Sequence, residues 1–206
     1  MNLIFSVYEI LYTVSFIFFF VLDYIYNIDI FNKFVINVSV LEYSRCCVYN
    51  NYSVYNILYG LIWMLPIFLM TNNYFIMTDE DKLDIFKLIC LNSISDILQS
   101  FTGKLLGKYI SYKPFKSISP SKTLIGYIGG LGITGILAIY IEYNNIVILL
   151  ILNVLGDLGA SFIKRKLLIK DFSNLFGIKG GMLDRIDSGT LNIPFNYFYK
   201  HYLIGS

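Results

Sequence analysis

Residues 146–166 read IVILLILNVLGDLGASFIKRK: eighteen residues, 146–163, apolar or small save Asn153, Asp157 and Ser161, closed by the cations Lys164, Arg165 and Lys166. A helix that crosses the hydrocarbon of a bilayer needs about 20 largely apolar residues. This stretch decides the fold, because it combines that length with a carboxylate that has no place in an ordinary soluble core. Working outward, comparable runs lie at 124–141, 83–101, 54–70 and 3–22, the one at 83–101 interrupted by Asp84, Lys87, Asp96 and Gln99. Pro66 is expected to kink the run at 54–70. A weaker run at 28–41 suits the membrane interface, and a short one at 191–204 suits entry into the bilayer without a full crossing. The reading is an all-α polytopic transmembrane helix bundle of about 5–6 spans. Residues 1–82 form hydrophobic N-terminal spans, and residues 83–206 carry the chemistry, with loops at 102–123 and 164–188.

Composition agrees. Of 206 residues, 56% are hydrophobic and 17% aromatic, and 15% are charged, against about 25% in an average soluble domain. Mean hydropathy is +0.63, which excludes a water-soluble globule and a disordered chain. The net charge of +2 is too small for a nucleic-acid binder. Cys46, Cys47 and Cys90 make no disulfide framework and read as free thiols. No Lys or Arg precedes the run at 3–22 and no small-residue cleavage site follows it, so a removed signal peptide is not expected.

The loops carry opposite charge. Lys104, Lys108, Lys113, Lys116 and Lys122 fall between the third and fourth runs, and Lys164, Arg165, Lys166, Lys170, Lys179 and Arg185 follow the fifth. Two spans separate these loops, so they share a side, while Asp79, Glu80 and Asp81 lie on the other. The positive-inside rule places both basic loops, and any site built from them, in the cytoplasm.

Acids within apolar helices narrow the chemistry. A carboxylate near the bilayer centre costs roughly 2.5–3.5 kcal/mol and needs a partner or a task. At about 100° per residue, Asp157, Ser161 and Lys164 fall on one stripe of a helix. Gly156 and Ala160 allow another helix close, as do Gly126, Gly129, Gly130, Gly132 and Gly135 in the run before it. Asp184 and Asp187 are three apart, a spacing that on a helix lets two carboxylates share Mg²⁺, or leaves two surface acids neutralised by Arg185 and nearby lysines. Gly177 and the pair Gly180-Gly181 permit close backbone approach to a ligand. Ser119-Pro120-Ser121-Lys122-Thr123 opens the run at 124–141, with Ser119 as N-cap and Pro120 in the first turn. Such a terminus binds phosphate through backbone N–H groups, hydroxyls and an ammonium, or is simply a capped helix with a topogenic lysine. His201, the only histidine, argues against a zinc site or a catalytic triad.

The order of these residues resembles a known family. Ser161-x-x-Lys164-Arg165, then Lys170-Asp171, then Lys179-Gly180-Gly181-x-x-Asp184-Arg185-x-Asp187 follows the spacing of the signature of phosphatidate cytidylyltransferases, the CDP-diacylglycerol synthases. Asp96 to Lys108, with Gly103 and Gly107, is similar to a second family stretch. Ser119-Pro120-Ser121-Lys122-Thr123-Leu124-Ile125-Gly126 is similar to a third. Gly156-Asp157 and Pro194 stand where the family has a Gly-Asp pair and a proline. Two positions depart: Lys179 replaces a histidine, and Ile125 replaces an acid. The resemblance covers roughly residues 90 to 195.

The resemblance implies the reaction CTP + phosphatidate → CDP-diacylglycerol + pyrophosphate at the cytoplasmic face of a membrane. It implies Mg²⁺ on Asp157, Asp184 and Asp187, with K⁺ beside it. Lys164, Arg165, Lys170, Lys179 and Arg185 would clamp phosphates, and Asp157, Asp184, Asp187, Lys164 and Arg165 form the catalytic set. Ser119, Lys122, Thr123, Ser161 and Asp171 would serve substrate binding, with Asp96 as polar support or a nucleotide contact. The partners implied are CTP, phosphatidate and the lipid bilayer; a homodimer is left open. Three alternatives stay open: a CDP-archaeol synthase, a CTP-dependent polyprenol kinase, and a catalytically silent membrane scaffold.

Overall fold

A computed structural model describes residue 25 and residues 30–49, 53–72, 77–141, 143, 145–175 and 180–204. Helices account for the regular structure of these residues, and no strand occurs among them. In chain order they are α1 (Ile30–Tyr49), α2 (Val54–Asn72), α3 (Asp79–Leu106), α4 (Leu124–Tyr140), α5 (Ile146–Lys166), the single turn α6 (Leu183–Ile186) and α7 (Gly189–Tyr199). The last runs into a π-helical turn, Lys200–Ile204. The apolar run at 3–22 lies outside the described residues.

Local chemistry sets several boundaries. Thr78 caps α3 reciprocally: its hydroxyl accepts from the Asp81 N–H at 3.2 Å, and Asp81 Oδ2 accepts from the Thr78 N–H at 3.0 Å. The helix therefore begins four residues before the apolar run and continues to Leu106, its acids Asp79, Glu80 and Asp81 favourably placed in the first turn. Residues 30–41 of the interfacial run belong to one helix reaching Tyr49. Pro66 lies inside α2, which continues past it to Asn72.

The start of α4 corrects the expectation for Ser119. Its N-cap is Thr123, whose hydroxyl accepts from the Gly126 N–H at 3.2 Å. Thr123 has the extended backbone that a cap needs (φ −99°, ψ 156°), whereas Ser119 and Pro120 belong to a turn in which the Lys122 N–H bonds to the Ser119 carbonyl. A proline suits a turn as well as a first helical position, so composition alone left the choice open.

Helices α3 and α4 share the most extensive interface. A Cβ at Gly130 would lie 2.5 Å from the Gln99 backbone nitrogen, and one at Gly129 would lie 2.9 Å from Thr102. Gly132, by contrast, faces open space. One apolar cluster joins Ile67, Leu88, Leu91, Ala138, Leu149 and Ile193 at one end of the bundle. The other joins Tyr43, Trp63 and Met64 of the first two helices to Ala160, Ile163, Leu167, Phe172 and Leu183.

The outward faces are apolar, and polar side chains of α5 are buried between the two apolar clusters' helices. Leu58, Leu61, Ile62, Leu65 and Phe68 of α2, Ile128, Ile136 and Ile139 of α4, and Val147, Ile151 and Leu155 of α5 are exposed. Asn153, Asp157, Ser161 and Lys164 of α5 are buried. Among the described residues one helix, α5, is long and apolar enough to cross a membrane by length and composition; α4 and Ile57–Leu69 are shorter apolar helices.

Candidate active site

Lys122, on the loop before α4, meets acids from two other helices. Its ammonium lies 2.9 Å from Asp157 Oδ2 on α5 and 3.5 Å from Asp96 Oδ1 on α3. Burial alone would depress the ammonium, but Asp96 and Asp157 more than reverse this and hold Lys122 above its ordinary range. The lysine also donates to Gln99 Oε1 at 3.2 Å. Gln99 is oriented in turn, because its amide nitrogen donates to Ser95 Oγ at 3.0 Å and to Asn153 Oδ1 at 3.4 Å. Asn153 donates to Asn92 Oδ1 at 2.9 Å, and Asn92 and Asn192 form a reciprocal amide pair. A buried line of amides thus runs across α7, α3 and α5 and ends on the lysine. Each such bond is worth about 0.5–1.5 kcal/mol net, while an amide left without a partner there costs more.

Lys164 organises a second group. It lies 2.8 Å from Asp184 Oδ1 and 3.6 Å from Asp187 Oδ2. The stripe expected on α5 is present, with Asp157, Ser161 and Lys164 all buried. Asp184 is fully engaged: its Oδ2 accepts the backbone N–H groups of Phe172 and Gly181, each at 2.9 Å. Gly180, with φ +83°, is pressed against that carboxylate, since a Cβ there would lie 2.6 Å from Oδ2. Asp184 therefore ties the loop after α5 to the turn before α6.

Asp187 ends α6, and its Oδ1 accepts from the Ser188 N–H at 2.8 Å. Ser188 Oγ donates to Asp96 Oδ2 at 3.0 Å, which links the two lysine groups. Gly156 brings α5 onto this same point: a Cβ there would meet the Asp187 and Ser188 carbonyl oxygens at 2.7 and 2.8 Å. The small residue beside Asp157 thus admits a turn, where the sequence suggested a neighbouring helix. Burial drives the Asp187 carboxyl up to about 8; Lys164 opposes the rise, and Asp157 and Asp96 add to it.

The remaining expected residues are scattered in role. Arg165 donates from Nε to the Ile118 carbonyl at 3.2 Å and from a terminal nitrogen to the Ile169 carbonyl at 3.1 Å, tying the Ser119 turn to the loop after α5. Ser119 and Thr123 are buried, Arg185 and Asp171 half-buried, and Lys170 exposed. Lys179 and Gly177 lie outside the described residues. Among the described residues no three acidic, histidine or cysteine side chains stand together as ligands of one ion. Asp157, Asp184 and Asp187 are instead divided between two lysines.

Glu42 and Ser188 were given no role from the sequence, and Gln99 and Asn153 stood out there only as polar breaks in apolar runs. The signal for Gln99 and Asn153 was the one used for Asp157, a polar side chain inside an apolar run, whereas Glu42 stands just past the end of the run at 28–41.

The arrangement alternates cations and carboxylates around a seam made by α3, α5, the turn before α4 and the turn around α6. It suits a charged, phosphate-bearing ligand better than a neutral one. A family model described as the cytidylyltransferase family matches residues 2–203. The chain belongs to the cytidylyltransferase family. Curated relatives include the phosphatidate cytidylyltransferase of Aquifex aeolicus, 38% identical over 111 residues, which are 50% of this chain and 42% of that protein. The Haemophilus influenzae protein of the same name is 40% identical over 48% of this chain and 39% of its own length. The Bacillus subtilis one is 40% identical over 48% and 40%. The matched stretches thus span less than half of these relatives' own lengths. No solved structure matches the chain.

Proposed function

We propose that this chain is a multi-pass membrane enzyme that makes CDP-diacylglycerol from CTP and phosphatidate at the cytoplasmic face. The observation that carries the reading is the convergence of the Asp96, Ser119–Gly126, Asp157 and Ser161–Asp187 stretches on two lysines flanked by four carboxylates. The names of the curated relatives support the substrates. The membrane setting is supported by the apolar outward faces of α2, α4 and α5 and by the burial of the polar Asn153, Asp157, Ser161 and Lys164. Exposed Lys104, Lys108, Lys113, Lys116, Lys166 and Lys170 support the cytoplasmic orientation.

In this reaction a phosphatidate phosphate oxygen forms a bond to the α-phosphorus of CTP. The bond from that phosphorus to the α–β bridging oxygen breaks, and pyrophosphate leaves with the electron pair. The nucleophile is already anionic, so a strong general base is not required, and the work is positioning and charge neutralisation. Lys122 and Lys164 supply positive charge at fixed points. Mg²⁺, with K⁺ beside it, would lower the charge on the leaving pyrophosphate when bound. Asp157 and Asp187 are the acids to hold Mg²⁺, which commonly takes one or two carboxylates and completes its shell with phosphates and water. Asp184, with both oxygens engaged, holds the segment that carries Asp187.

The test is incubation of the membrane-reconstituted protein with phosphatidate and CTP labelled at the α- or the γ-phosphate, with Mg²⁺ or with chelator. Transfer of α-label into lipid only with the metal is expected. Transfer of γ-label would indicate a kinase, and no transfer would remove the enzyme reading.

A further inference from the structure

Glu42 comes from α1, in a part of the chain whose sequence reads as little more than hydrophobic, yet its carboxylate is buried against the segment that carries Asp184 and Asp187. Its Oε1 accepts from Ser173 Oγ at 2.6 Å and from the Met182 N–H at 3.0 Å, and its Oε2 accepts from the Leu183 N–H at 2.9 Å. Those N–H groups open α6, where helix geometry provides no internal partner and where negative charge is favoured.

The glycine pair records the same contact. A Cβ at Gly181 would collide with Glu42 Oε1 and with Ser173 Oγ. Gly180 is fitted to Asp184 and Gly181 to Glu42, so the turn is clasped between a carboxylate from its own segment and one from a helix about 140 residues away in sequence. Two neighbours of Glu42 grip the same loop. Tyr43 packs edge-on against Phe172 with ring centroids 6.1 Å apart, and Cys46 Sγ donates to the Phe172 carbonyl at 2.7 Å.

A buried carboxylate is costly unless its lone pairs are filled, and three donors fill those of Glu42. We infer that Glu42 is a positioning residue of the active site: it caps α6 and fixes residues 180–187, and through them the Asp184 and Asp187 carboxylates, without touching the substrates. This rests on the catalytic reading proposed above.

The test compares the parent protein with Glu42→Ala and Glu42→Gln in lipid nanodiscs. One measurement is amide hydrogen exchange, and the other is Mn²⁺ binding by electron paramagnetic resonance alongside CDP-diacylglycerol formation across a Mg²⁺ titration. In Glu42→Ala the Met182 and Leu183 amides should exchange at least roughly tenfold faster, with α3 and α4 unchanged. The Mn²⁺ dissociation constant and the half-saturating Mg²⁺ should both rise about tenfold, and Glu42→Gln, which keeps one acceptor oxygen, should fall between. Unchanged exchange at 182–183, exchange raised evenly through the bundle, or local loosening with unmoved Mn²⁺ binding would each overturn the inference. If Glu42→Ala does not fold, Ser173→Ala removes one of the three donors, and exchange at 182–183 no faster than in the parent would overturn it. A parent protein that forms no lipid-linked product would sink the catalytic reading, while the exchange data still decide the hold of Glu42 on the segment.

Discussion

Two places in the molecule gather acids around a lysine, and they are built to different ends. Near the start of α3, Lys200 lies 3.1 Å from Asp81, 3.2 Å from Asp84 and 3.4 Å from Glu80, and His201 Nε2 lies 3.1 Å from Asp81. Its acids come from one helical turn and a half, Asp81 already serves the Thr78 cap, and Glu80 is 76% exposed. That is a latch between the chain's last described turn and a helix end. Around Lys122 and Lys164 the acids come from α3, α5 and the α6 turn, their side chains 6–35% exposed, and glycines at 156 and 180 bring backbone onto them. Clustered charge alone does not distinguish a site from a latch. Acids drawn together from distant segments, at the cost of desolvation, do.

The comparison breaks most sharply at Asp187. Asp187→Asn should lower CDP-diacylglycerol formation by roughly 10²–10³-fold while the unfolding temperature in detergent rises, because the amide is spared the proton uptake that the buried carboxyl needs on folding at neutral pH. Near-parental turnover would remove Asp187 from the chemistry. Next is Lys122→Met, which leaves Asp96 and Asp157 facing each other. Allowing for the partial exposure of Asp96, thermal unfolding should report a loss of about 1–3 kcal/mol, together with lost turnover.

A third measurement follows from the raised Asp187 carboxyl. Its folded value of about 8 exceeds that of an unfolded aspartate, about 3.9, so the folded state binds the extra proton between those values. Stability without divalent cation should therefore fall as pH rises from 6 to 8, by on the order of 1 kcal/mol per unit, and Asp187→Asn should flatten that slope. A parent protein more stable at pH 8 than at pH 6 would contradict the environment described for Asp187. The smallest effect belongs to the latch. Lys200→Met should cost about 1 kcal/mol or less and leave turnover within a factor of about two. A loss of turnover comparable to that of Lys122→Met would erase the distinction between the two regions.

Much of this was legible one residue at a time. The run at 146–163 and the acids inside apolar stretches marked helices and candidates, because hydropathy and the helical period are local properties. Asp157, Ser161 and Lys164 fell on one face of α5 as their spacing requires. The cap of α4 was misplaced by four residues, since serine, proline and threonine all suit either a turn or a helix start and only the backbone at Thr123 separates them. The division of the acids was not legible at all. Nothing in the spacing of Asp184 and Asp187 indicates that a lysine from α5 stands between them, or that Asp184 spends an oxygen on two backbone N–H groups.

The chain's own order of residues determined that the molecule is helical and which side chains were available for phosphate chemistry. Tertiary structure alone decided which lysine answers which carboxylate, and it brought Glu42 from the N-terminal side onto the turn that bears Asp184. The reason is physical: helix formation depends on neighbours within a few residues. Ion pairs and caps depend instead on how far helices approach and turn toward one another, which small residues such as Gly129, Gly130 and Gly156 permit but do not specify.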